Sequence, residues 1–261
     1  MRGFEVLPGA VPAARAREIS ERISAEIGET DRVLTPIPVK DGLHAMMMEA
    51  MDSSLTNGLE SLLESYYASH FRIIHCQLYR TEDQGNQHFS FHWHRDVEPM
   101  SQVHVMVYFS PSGPNDGGTQ FLDFADTGRL AANGYAFGAF EDRVLTLDGV
   151  VPADETPPRP ERPLVDVGDA VVFAAPRILH RGVAPKQGHR DVLVLNIMPS
   201  LVPWRDTLDE FGADHLFQID GGTRNTLMTD PFEPLLAPHP NVQPGPIDMP
   251  PWAMFGGMVP E

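Results

Sequence analysis

The sequence predicts a mainly-β chain, an antiparallel barrel or sandwich with flanking α-helices. Three observations carry this: two early stretches place apolar residues at helical spacing, short β-like runs succeed one another from about residue 72, and no helical stretch alternates among those runs. A parallel sheet would need such crossovers, so the strands should pair antiparallel. The length of 261 residues suits one large domain, read as a helical part over 1–71, a β core over 72–200 and a proline-rich wrap over 201–261.

The first helix is predicted over residues 12–27, PAARAREISERISAEI: a proline suits the first turn, Ile19, Ile23 and Ile27 recur four apart, and Gly28 follows. A second is predicted over 55–71, with Leu55, Leu59, Leu62, Leu63, Tyr66 and Tyr67 on one stripe and Gly58 as its weak point. The strands follow as RIIHCQLYR, HFSFHWH, QVHVMVYF, GTQFLDF, DRVLTL, DAVVFAA and RDVLVLNIMP. Asp148-Gly149, between DRVLTL and VVPA, is a two-residue hairpin signal. Residues 125–162 are expected to be a long loop, of the kind that covers a site on a β scaffold. After Pro199 one short helix near 203–211 is expected, and then a tail that wraps the main domain or a homodimer partner.

Nineteen basic against thirty-six acidic residues give a formal charge of −17, which disfavours nucleic acid and anionic membranes as partners. The single cysteine, Cys76, excludes an internal disulfide framework and sits in an apolar run as a buried small hydrophobe. With no apolar leader and no stretch of eighteen apolar residues, a soluble cytoplasmic protein is expected.

Residues 88–96, HFSFHWHRD, are the densest cluster of metal-ligating types. Read as a strand, the segment places His92, His94 and Asp96 on one face and Phe91 and Trp93 on the other. A His-x-Asp pair with a distant histidine is the facial triad that holds Fe(II) with open positions. The pair alone is weak, because eleven histidines give about one such match by chance. Two occur, at His94–Asp96 and at His189–Asp191. The wider pattern, a later histidine followed ten residues on by arginine, separates them. After Asp96, His180 is followed by Arg190, whereas ten residues beyond His215 and His239 stand Asn225 and Met249. The planar fork of arginine matches a carboxylate.

His94-Arg95-Asp96, His180 and Arg190 together resemble the Fe(II)/2-oxoglutarate-dependent oxygenase superfamily, whose fold is the cupin-like double-stranded β-helix, or jelly roll. Locally the match is most similar to the phytanoyl-CoA hydroxylase and prolyl-hydroxylase branches: Trp93 precedes the first ligand, Gly117-Gly118-Thr119-Gln120-Phe121 opens a strand, and Gly168-Asp169 leads toward the distal histidine. The resemblance spans roughly 72–200. It implies that His94, Asp96 and His180 ligate Fe(II), that Arg190 binds the distal carboxylate of 2-oxoglutarate, and that O2 is consumed while succinate and CO2 are released. The presence of Asp96 favours hydroxylation, desaturation or oxidative cyclisation, and the lack of a basic groove or a recognisable interaction module makes a small molecule, amino-acid-derived or a natural-product intermediate, the expected substrate. Relatives that halogenate lack the carboxylate that Asp96 provides.

One departure stands out. Many relatives carry Ser or Thr two residues after the arginine, whereas here Val192 stands there, so a second anchor for the keto acid must come from elsewhere. Gln77 and Tyr79 share one strand face, His104 and Tyr108 another, and Thr119 opens the next strand; each is a candidate, with a satisfied core polar group as the plain alternative. His92 is a candidate for substrate contact, and Arg177 and Arg181, which flank His180, could meet an anionic substrate. His75 and His88 read as core or rim groups, and His189 should face away from the side that Arg190 takes. Two other functions fit the same strands: a cupin-like metalloenzyme that uses no keto acid, in which Arg190 has no carboxylate to bind, and a non-enzymatic β-barrel binding protein.

Overall fold

The computed structural model describes residues 2–27, 34–39, 41–82, 89–135, 142–151, 156–211 and 216. In chain order the elements are β1 (Phe4–Leu7), α1 (Ala13–Ile27), β2 (Leu34–Pro36), α2 (Asp41–Ser54), α3 (Glu60–Tyr67), β3 (His70–Glu82), β4 (Val103–Tyr108), β5 (Gly118–Phe121), α4 (Phe124–Ala132), β6 (Ala170–Phe173), β7 (His180–Val183), β8 (His189–Ser200) and α5 (Trp204–Phe211). Six strands form one antiparallel sheet in the order β1-β6-β4-β8-β3-β2, and β5 pairs with β7 in a second.

Strand β8 shows why the large sheet has two different buried faces. Leu193, Leu195 and Ile197 point to one side and pack with Ile19 and Ile23 of α1, Met47 and Met51 of α2, and Leu63 of α3. Val192 and Val194 point to the other, where Tyr108, Phe121, Val171 and Phe173 form a separate cluster between the sheets. Period-two alternation thus sends every second residue to the helices and the rest to the interior of the β-helix. Cys76 and Leu78 of β3 belong to the helix-facing side, as the apolar run around Cys76 predicts.

Several expected elements change. The second helical region starts earlier: α2 begins at Asp41, a π-helical turn spans Leu55–Leu59, α3 ends at Tyr67, and Phe71 lies in β3. Gly58 has φ +102° inside that π turn, a conformation only glycine adopts without strain, so the predicted weak point is where the helix changes winding. The N-terminal part is not purely helical, because β1 pairs with β6 and β2 with β3. The expected loop at 125–162 contains α4, capped by Asp123, whose side chain accepts from the Asp126 amide at 2.7 Å.

Two predicted strands do not form among the described residues. HFSFHWHRD is a turn of 3-10 helix over Phe89–Phe91 followed by single bridges at Trp93 and His94. In DRVLTL only Val144 pairs, with Trp93. Asp148-Gly149 lies in a turn, with Gly149 at φ +78°, but among the described residues no hairpin flanks it. Alternation alone misled here, since the partners available to these segments offer one or two residues of ladder each. The Gly117-Gly118 pair has a clear steric basis. Gly117 has φ +79°, and a Cβ there would lie 2.6 Å from the Val183 carbonyl oxygen, so the backbone of β7 approaches where no side chain fits.

His88 and most of the proline-rich tail lie outside the described residues. Among the described residues no helix is long and apolar enough to cross a membrane.

Candidate active site

His94 and His180 are brought together by backbone pairing. Each donates its amide N–H to the other's carbonyl, at 3.0 and 2.9 Å, which makes them directly opposed residues of an isolated antiparallel bridge. Their rings lie 4.4 Å apart at 52°. Both imidazoles are then oriented in the same way: Nδ1 of His94 lies 2.7 Å from the carbonyl of His92, and Nδ1 of His180 lies 3.1 Å from that of Ile178. A carbonyl only accepts, so Nδ1 carries the proton in each ring and Nε2 is the nitrogen turned toward the cluster, where the neutral ring offers its lone pair.

Asp96 completes the cluster from the irregular segment after the bridge, where its amide donates to the Ala175 carbonyl at 3.3 Å. Its Oδ1 lies 3.4 Å from Nε2 of His94 and its Oδ2 3.6 Å from Nε2 of His180. Adjacent ligands of an ion bound at about 2.1 Å sit roughly 3 Å apart, so these spacings surround a space of the right size. The three ligand atoms lie within 4.8 Å of one another.

His104 of β4 approaches the same carboxylate, with Nδ1 3.5 Å from Oδ2 of Asp96. Its Nε2 faces the side-chain nitrogen of Gln102 at 2.8 Å; an amide nitrogen only donates, so Nδ1 of His104 carries the proton and points at Asp96. Burial alone would raise the Asp96 carboxyl, but attraction to His180, His94 and His104 outweighs it and holds the group well below the ordinary carboxylate range. Burial and the neighbouring His94 push His180 down to about 3. The site therefore favours an ionised Asp96 carboxylate and a neutral His180, the protonation states that a metal requires.

The large sheet supplies the rest of the cavity in rows across β3, β8 and β4. Tyr79, Val192 and Tyr108 form one row, Gln77, Val194 and Met106 the next, and Asn196 pairs with His104 in the third. Arg190 stands at the end of the same β8 face, opposite Thr81. It is buried, and its Nη2 donates to Thr81 Oγ1 at 3.3 Å, while Nε and Nη1 have no hydrogen-bond partner among the described residues. A desolvated guanidinium with two unsatisfied donors facing a cavity is a site for a carboxylate.

The chain matches no protein-family model, and none of the curated proteins is significantly similar to it. Solved structures are similar. They include the non-heme alpha ketoglutarate dependent carbocyclase SnoK from nogalamycin biosynthesis (TM-score 0.50, 11% identity, 76% of this chain and 80% of that one). HygX from Streptomyces hygroscopicus with nickel, 2-oxoglutarate and hygromycin B bound aligns at 17% identity over 76% of this chain and 83% of that one, again with a TM-score of 0.50. A third is the apo form of the non-heme monooxygenase ThoJ, at 13% identity, 76% and 74% coverage and a TM-score of 0.50. The fold is the double-stranded β-helix of the 2-oxoglutarate-dependent oxygenases.

Within this fold, the sequence-predicted residues divide clearly. His94, Asp96, His180, Arg190, Gln77, Tyr79, Thr119 and His104 all line one cavity. His92 does not; only its carbonyl reaches the site, as the acceptor that orients His94. Arg177 is exposed, donates to the Tyr66 hydroxyl at 3.1 Å and lies over Phe124, and Arg181 donates to Gln120 at 2.7 Å and to the Leu145 carbonyl while covering Trp93. Neither lines the cavity. Asn196, Glu98 and Arg143 line it without having been singled out by the sequence. Period two from Arg190 would have found Asn196; Arg143, in a segment misread as a strand, carried no local signal.

Proposed function

We propose that the protein is an Fe(II)/2-oxoglutarate-dependent oxygenase that oxidises a small molecule by hydroxylation, desaturation or oxidative cyclisation. The observation that carries the reading is the convergence, in one cavity, of two imidazoles, one carboxylate and a buried guanidinium with unsatisfied donors. The donor set suits Fe(II): two nitrogens and one carboxylate oxygen from the protein leave positions for other ligands. When bound, iron and 2-oxoglutarate together supply the oxidising chemistry, in which O2 is consumed, succinate and CO2 are released and a substrate C–H bond is oxidised.

The chain's own residues have distinct tasks in this reading. His94, Asp96 and His180 hold the metal, with the carbonyls of His92 and Ile178 fixing which imidazole nitrogen is presented. His104 positions Asp96 through its Nδ1 proton. Arg190 binds the distal carboxylate of the keto acid, and burial makes that ion pair strong by removing competing water. Tyr79, directly across the strand pair from Val192, is the candidate to replace the hydroxyl that Val192 lacks, and Gln77 and Thr119 add polar groups to the same wall. Phe91, Met106, Phe173 and Val194 supply apolar lining that limits water.

The test is anaerobic addition of Fe(II) and 2-oxoglutarate, followed by the weak metal-to-keto-acid absorption band. Wild type should show the band, Arg190→Ala should lose it at keto-acid concentrations that saturate wild type, and Arg190→Ala should still bind metal. A wild-type protein without the band, or an Arg190→Ala variant indistinguishable from it, would defeat the proposal.

A further inference from the structure

Gln102 stands just before β4 and does not line the cavity. We infer that it is a positioning residue for the metal carboxylate: its side-chain amide fixes the tautomer of His104, and His104 in turn holds Asp96 in place for the metal. This inference rests on the metal-binding part of the oxygenase reading and names a remote residue on which that part depends.

Gln102 is fully buried, and its backbone is fixed by a turn in which its amide donates to the Pro99 carbonyl at 2.8 Å. Its side-chain nitrogen donates to Nε2 of His104 at 2.8 Å, while its side-chain oxygen has no hydrogen-bond partner among the described residues. A buried carboxamide with one unsatisfied end costs stability that an apolar side chain of the same size would keep, so filling the core does not account for it. The His104 ring has little freedom to turn. It meets Phe173 edge-on, with ring centres 5.4 Å apart at 78°, and its backbone pairs with Phe173 on one side and Asn196 on the other. Asp96, by contrast, lies in an irregular segment, so its side chain depends on contacts such as the one from His104.

Electrostatics fixes the direction of the chain from Gln102 to Asp96. Burial pushes His104 toward its neutral form, in which one ring nitrogen carries a proton and the other a lone pair. With the Gln102 nitrogen donating to Nε2, the proton sits on Nδ1 and faces Oδ2 of Asp96 at 3.5 Å, an attraction between a partial positive charge and an anion. With the carboxamide reversed, its oxygen would hold the proton on Nε2, and the bare Nδ1 would set its lone pair against the carboxylate. The first arrangement is favourable at both contacts and the second at one. Groups that orient a metal ligand in this way typically change metal affinity about ten- to a hundredfold when they are removed.

The experiment uses the full chain. In the metal-free protein, nitrogen NMR of the imidazoles, with the His104 signal identified by its loss in His104→Asn, should find His104 in the Nδ1–H form. Gln102→Met keeps the volume but removes the donor; it should populate the Nε2–H form and weaken Mn(II) binding, measured by calorimetry, by about tenfold. His104→Asn sets an amide nitrogen where Nδ1 stood and so keeps a donor for Asp96 that no longer needs Gln102. In that background Gln102→Met should change Mn(II) affinity by less than about twofold, whereas a merely structural role for Gln102 would cost the same in both backgrounds. The inference is overturned by a wild-type His104 in the Nε2–H form, by a Gln102→Met variant that keeps either the wild-type tautomer or the wild-type Mn(II) affinity, or by equal losses in the two backgrounds. A wild type that binds Mn(II) but shows no keto-acid band with Fe(II) defeats the oxygenase reading alone and leaves these measurements standing.

Discussion

Asp191 is the carboxylate of the second His-x-Asp match, and the structure gives it a partner that can be tested directly. Arg80 Nε donates to its Oδ1 and Arg80 Nη2 to its Oδ2, both at 2.7 Å, and Ser20 of α1 donates to Oδ2 at 2.6 Å. Arg80 is 3% exposed and Asp191 0%. Replacing Asp191 with Ala would leave Arg80 in the core with the Ser24 hydroxyl, at 2.8 Å, as a side-chain acceptor. Removing one partner of a buried pair costs about 3–5 kcal/mol, because the other charge stays desolvated. In a chain of this size each kcal/mol moves the melting temperature by about 2–4 °C, so Asp191→Ala should melt roughly 6–20 °C below wild type. Calorimetry and urea unfolding followed by circular dichroism measure this. The double variant Arg80→Met, Asp191→Leu should recover much of the loss, since apolar replacement of both partners removes the stranded charge. A loss below about 1 kcal/mol for Asp191→Ala, as for a surface pair, or a double variant no better than the single, would refute the reasoning.

Metal binding should stabilise the folded chain: Mn(II) at about a hundred times its dissociation constant adds roughly 2.7 kcal/mol, and His94→Ala should abolish the shift in a thermal melt. The metal-free protein should lose stability as pH falls. His180 is pushed down to about 3 in the folded chain against an ordinary 6.5, so the unfolded chain takes up a proton that the folded chain refuses between those values. The contribution is fully present above about 6.5 and is lost toward 3, at up to about 1.4 kcal/mol per pH unit. With chelator present, the wild-type slope between pH 4.5 and 6.5 should exceed that of His180→Asn; equal slopes would exclude His180 as the source. Tyr135→Phe removes the hydroxyl that joins Trp93 to Val144 and should cost about 1–3 kcal/mol in urea unfolding, since it strands a backbone donor and an acceptor.

Much of the β-helix was legible because alternation is a local property. β3, β4, β6 and β8 all fall in short runs rich in β-branched and aromatic residues, some alternating and some apolar throughout as in Ala170–Phe173, and the ladders of β3, β4 and β8 leave little freedom in register. The segments that failed, around Trp93 and Val144, have the same alternation but pair through single bridges, so their conformation is set by what they meet. The metal-site residues were nonetheless assigned to one cavity, because chain order and the spacing from His180 to Arg190 survive an error in local secondary structure. Helix α2 was missed: its buried Leu43, Met47 and Met51 do lie four apart, but they sit in a methionine-rich run.

By itself the sequence determined which candidate ligand types the chain offers, their order and the strand face on which Arg190 stands, since those depend on residue identity and period-two geometry. Tertiary structure decided everything that needs two distant segments to touch. It orients both imidazoles through carbonyls two residues earlier, turns His104 onto Asp96, pairs the misleading Asp191 with Arg80, and lays Arg143 beside His94. It also moves Arg177 and Arg181, sequence neighbours of His180, away from the cavity. The physical reason is that a side chain's partner is set by contacts across the fold, and such contacts leave no mark in the few residues on either side of it.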